Sequence, residues 1–142
     1  MFDLILLGAD GSEHAQRAAK VAGDLARALQ SKEIRIVVAF DPVPPYLGEP
    51  NLSKAEAARA QAADEILTKA RAALGSIPGE VHEETLAGSP AEAIVQVART
   101  RKSDLIVVGS RGLGRLEGAL LGSNSQKVVS HAPCPVLIVL YP

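Results

Sequence analysis

The sequence predicts an α/β fold: a doubly wound five-stranded parallel sheet with helices on both faces. Three observations carry this. Five short strand-like runs, four of them largely apolar, recur along the chain, and stretches with helical periodicity separate them. The longest glycine-bearing connection also falls where such a run ends and a helical stretch begins, the usual place for a ligand in this class.

The first strand is expected at residues 4–8, apolar and ended by Gly8. Asp10, Gly11 and Ser12 form a turn, with Ser12 placed to cap the helix that follows. Ala15, Ala18, Ala19, Ala22, Leu25, Ala26 and Leu29 keep steps of three or four, whereas Arg17, Lys20, Asp24 and Arg27 lie elsewhere on the wheel. A second strand is expected at residues 34–40. The connection from Asp41 to Asn51 holds four prolines and should be exposed and irregular. An alanine-rich helix follows over about residues 53–74, with Ala58, Ala62, Ile66, Ala70 and Ala73 as its packing face.

Residues 75–79 break that helix, and residues 81–86 give a third strand whose charges suit a sheet edge. Ser89, Pro90 and Glu92 are a capping serine, a first-turn proline and a third-position glutamate, so a helix starts there with Ile94, Val97 and Ala98 buried. Residues 104–108 form a strand buried on both faces. The last helix is expected over residues 123–131, with Ser123 and Gln126 at capping-box spacing, and a fifth strand at 136–140.

Between the fourth strand and the last helix lie Gly109, Ser110, Arg111 and Gly112, then nine residues, then Gly122, Ser123, Asn124 and Ser125. Unpaired N–H groups and the positive end of a helix dipole make such a junction favourable to anions. Gly109 and Gly112 permit close backbone approach or a positive φ, and Ser123, Asn124 and Ser125 offer side-chain donors. Arg111 and Arg115 add positive charge, Arg115 as a solvated surface residue. A phosphate is the expected guest.

The spacing G-x2-G-x9-G-S at Gly109, Gly112, Gly122 and Ser123 resembles the nucleotide motif of the universal stress protein family, in its ATP-binding branch. The resemblance extends to residues 131–139 and to residues 5–12, and so spans nearly the whole chain. It implies strand order 3-2-1-4-5 and one nucleotide-binding domain over residues 1–142. It also implies ATP as ligand, with magnesium shielding the phosphates, and a homodimer through the strand ending at Leu140. By the same resemblance Asp10, beside Ala9, meets the base or sugar, the backbone at Ala39 meets the adenine, and Val108 flanks it. Read without the resemblance, Asp10 is a turn residue and Ala39 and Val108 are core.

Composition excludes several classes. The formal charge of −1 gives no overall pull toward nucleic acid or membrane lipid, and four aromatic residues leave little for stacking bases. One cysteine, Cys134, precludes an internal disulfide and reads as a packed thiol. The N-terminus resembles no signal peptide, so a cytoplasmic location is expected. His14, His82 and His131 have no metal-ligand spacing. The glycine segment fails the P-loop at Arg115 and Leu116, and the dinucleotide fingerprint at Glu117. A sensor or regulator with at most slow hydrolysis is the leading expectation. A weak ATPase or nucleotidyl-transfer enzyme, and an interaction module that binds no nucleotide, are the alternatives.

Overall fold

The structure, a computed structural model, describes residues 1–110 and 121–140. The elements run β1 (Leu4–Gly8), α1 (Glu13–Leu29), β2 (Glu33–Phe40), a single 3-10 turn (Pro45–Leu47), α2 (Asn51–Leu74), β3 (Glu80–Ala87), α3 (Pro90–Arg101), β4 (Leu105–Gly109), α4 (Ser123–His131) and β5 (Val136–Val139). All strand pairs are parallel and the order is β3-β2-β1-β4-β5, as the resemblance implies.

The period-2 alternation of a strand divides the core into two layers. Ile5 and Leu7, Ile34, Ile36 and Val38, and Leu105 and Val107 pack under α1 and α2; Leu6, Val37, Ile106 and Val108 face α3 and α4. This is why β1 and β4 read as unbroken apolar runs: neither face meets water. β3 is the edge on one side, where Glu84 pairs with Arg35 and Arg101, and β5 is the edge on the other.

Ser12 caps α1, its hydroxyl accepting from the Ala15 N–H at 3.1 Å, and Ser89 caps α3, accepting from the Glu92 N–H at 3.3 Å. The C-terminal end of α2 abuts α1 at Gly23, where an added Cβ would lie 2.1 Å from the Leu74 carbonyl oxygen. Arg27 then closes the end of α2, donating to the Leu74 and Ser76 carbonyls at 2.9 and 2.8 Å.

Three local expectations are corrected. The buried face of α2 is Ala63, Leu67, Ala70 and Leu74, whereas Ala58 and Ala62 are exposed. Repeated steps of four advance about 40° past a full turn each time, so a face traced back from Ala70 by fours winds into solvent. Leu29 at the end of α1 is 40% exposed. The capping box of α4 does not form: Gly122 is the N-cap with extended backbone, Ser123 is already helical, and the Gln126 side chain donates to the Leu121 carbonyl.

Candidate functional site

The strand order reverses between β1 and β4, since β1 leads on to β2 and β4 leads the other way to β5. At such a switch point the crossover helices diverge and leave a crevice beyond the carboxyl ends of the strands. A cleft opens there. It gathers Ala9, Asp10, Ala39, Val108, Gly109, Asn124 and Ser125 from four separated stretches of chain. Gly122, the N-cap of α4, and Ser123, its first residue, directly precede Asn124; Arg111 and Gly112 lie outside the described residues.

Asp10 keeps its turn role. Its Oδ1 accepts from the Ser12 N–H at 2.9 Å and from the Ser12 hydroxyl at 2.5 Å, which orients the serine that caps α1. Its Oδ2 makes no hydrogen bond among the described residues, and Asp10 is the one titratable group among the described residues that line the cleft.

Ala39 presents its backbone. β1 ends at Gly8, paired with Val37, and the Ala9 N–H donates to the Val37 carbonyl at 3.0 Å as the chain turns away. The Phe40 carbonyl instead accepts from the Gly88 N–H at 2.9 Å on the opposite side of the strand. Main-chain groups alternate sides along a strand, so both the N–H and the C=O of Ala39 point where β1 would have continued. They face the cleft as an adjacent donor and acceptor.

Gly109 is required by proximity. An added Cβ would sit 2.8 to 2.9 Å from the backbone and Cβ of His14, so it is the first turn of α1 that approaches this glycine. Ser125 is buried, and its hydroxyl donates to the carbonyls of Gly109 at 2.8 Å and Ser110 at 3.1 Å. The Gly122 N–H donates to the Ser110 carbonyl at 2.7 Å. Among the described residues no side chain caps the first turn of α4, whose N–H groups start at the cleft rim.

Sequence reasoning missed Pro90, Ile94 and Val128 in the lining, and the buried His14 that meets Ser110 beneath the cleft. Topology held the signal for the first two: in a parallel sheet every helix begins at the same edge, so the start of α3 belongs beside those of α1 and α4. Apolar walls, a flanking backbone donor and acceptor, and an uncapped helix terminus suit a flat heterocycle carrying an anion. Among the described residues no group of three or more His, Cys, Asp or Glu side chains gathers as a metal site. No helix of the described residues is long and apolar enough to cross a membrane.

The model of the Universal stress protein family matches residues 1–139. A universal stress protein encoded in the QAH/OAS sulfhydrylase 3' region of Thermus aquaticus is 50% identical over 139 residues, covering 98% of this chain and 99% of that protein. The universal stress protein UspA from Lactobacillus plantarum superposes with a TM-score of 0.83 at 28% identity, covering 97% of each chain. A universal stress protein solved in complex with cAMP superposes with a TM-score of 0.70 at 30% identity, covering 96% of each chain.

Proposed function

The chain belongs to the universal stress protein family, and we propose that it binds an adenine nucleotide at the carboxyl edge of its sheet and acts as a nucleotide-dependent sensor or regulator in the stress response. The observation that carries this reading is the backbone of Ala39, with donor and acceptor side by side at the cleft where β1 has ended. Adenine presents the complement, an N6 amino donor beside a ring-nitrogen acceptor. Guanine in the same pose sets O6 against the carbonyl, which leaves two acceptors facing each other. The cAMP complex of a 30% identical relative supports an adenine ligand.

With the base at Ala39 and flanked by Val108, the sugar reaches Asp10, and the phosphates extend toward Gly109 and the first turn of α4 at Gly122, Ser123 and Asn124. Backbone N–H groups at a helix start suit that charge. The triphosphate form would bring magnesium held chiefly by phosphate oxygens and water, with Asp10 Oδ2 the carboxylate oxygen of the cleft lining left open to it. Hydrolysis is at most slow, since Asp10 has one oxygen committed to Ser12 and no second acid or base lines the cleft among the described residues.

The remaining expectations form part of the same proposal: one nucleotide-binding domain, a cytoplasmic location and a homodimer. The dimer would form through β5, an edge strand with apolar Leu137 and Ile138, followed by Leu140, which is 59% exposed. A monomer in light scattering at micromolar concentration would reject that pairing. The nucleotide reading is tested by calorimetry with ATP, AMP, cAMP and GTP. Adenine nucleotides should bind, with GTP about ten-fold weaker or worse; no heat with any adenine nucleotide would overturn the proposal.

A further inference from the structure

Where Ser125 lines the cleft it joins a buried polar knot with Ser110 and His14. Ser110 is 3% exposed, Ser125 6% and His14 6%. Ser110 is its hub. Its N–H donates to the Val139 carbonyl on β5 at 2.9 Å, and its carbonyl accepts from the Gly122 N–H at 2.7 Å and the Ser125 hydroxyl at 3.1 Å. Its own hydroxyl lies 3.3 Å from His14 Nδ1. The Ser125 hydroxyl also donates to the Gly109 carbonyl at 2.8 Å, so one proton is shared between the last two carbonyls before the glycine-rich segment.

We infer that Ser125 is a positioning residue: its hydroxyl, bonded to the main chain of Gly109 and Ser110, fixes the amino end of α4 against the end of β4 and so sets the phosphate end of the cleft, rather than serving as a ligand contact. The geometry divides the labour. Ser125 is the third residue of α4, and its hydroxyl is directed back into the protein, whereas the first-turn N–H groups remain for an anion. Both ends of the glycine-rich segment, Ser110 and Gly122, meet at this knot. The base end, at Ala39 and Ala9, is held by separate β1 and β2 bonds that do not pass through it. Removing the Ser125 hydroxyl takes its donor from the Gly109 carbonyl, leaves the Ser110 carbonyl with the Gly122 N–H, and lets the helix start shift relative to the strand.

This inference rests on the nucleotide reading above, and its test separates the two. Affinities for ATP and for adenosine, which carries the base and sugar alone, are measured by calorimetry on wild type, Ser125→Ala and Ser125→Thr. Ser125→Ala should bind ATP about ten-fold more weakly while adenosine binding holds, and Ser125→Thr, which keeps the hydroxyl, should recover ATP affinity. Equal loss of ATP and adenosine affinity, or unchanged ATP binding in Ser125→Ala, would overturn the inference alone. Wild-type protein that takes up neither ligand would overturn the nucleotide reading together with it.

Discussion

Replacing Gly109 by alanine adds three heavy-atom conflicts at the point where strand, helix and cleft meet. The new Cβ would stand 2.8 Å from His14 C and Cβ and 2.9 Å from its carbonyl oxygen, where ordinary contact starts at 3.4 Å. Two of the three atoms belong to backbone, so no side-chain rotation relieves them. The first turn of α1 must retreat by about 0.6 Å, and overpacking of this kind costs about 1–3 kcal/mol. For a chain of 142 residues that corresponds to a melting temperature lower by about 4–10 °C. The retreating turn carries Ala15, and Asp10 lies just before it, both in the cleft lining, so ATP affinity should fall as well. Thermal melts with and without ATP measure both effects: the variant should melt lower and gain less on adding nucleotide. A melting point within about 1 °C of wild type, with the full shift on adding ATP, would refute the claim that Gly109 is held by the close approach of α1.

Other substitutions probe separate links. Arg27→Ala strips two carbonyls at the end of α2 of their donor and should lower stability by about 1–2 kcal/mol in urea unfolding. Arg27 also holds the Asp24 carboxyl below its ordinary range, chiefly through its hydrogen bond, with Lys20 adding charge. Because the folded value is depressed, that stabilisation is present above the ordinary carboxylate range and disappears as pH falls through the folded value, so wild type and Asp24→Asn should converge in acid. Burial, and then the charge of Asp104, push the Cys134 thiol above its usual range, so it should react with a disulfide reagent at neutral pH more slowly than glutathione does. Gly122→Val places a branched side chain at the N-cap of α4 and should weaken ATP binding about ten-fold or more while the fold persists, as calorimetry and circular dichroism would show.

The sheet was legible because its signal is local. β1, β4 and β5 are bounded by glycine, proline or polar residues, and each buried face is written into its own five or so residues. Strand order was not written locally and came through the family resemblance. The face of α2 was misread because alanine carries little periodic contrast: Ala58, Ala62 and Ala63 are equivalent in sequence and only the sheet distinguishes them. The helix begins at Ser123 as expected, but its cap differs from the one that the spacing of Ser123 and Gln126 suggests: Gly122, whose N–H bonds Ser110, is the N-cap. The knot of His14, Ser110 and Ser125 joins positions 96 and 15 residues apart and has no local signature. Ala39 offers main chain alone, so its residue type announces nothing.

The account is tested most directly by a crystal structure of the protein grown with saturating ATP. The adenine amino group should donate to the Ala39 carbonyl, a ring nitrogen should accept from the Ala39 N–H, and the phosphates should lie before the first turn of α4. A nucleotide bound away from Ala39, or a cleft that stays empty at saturation, would contradict it.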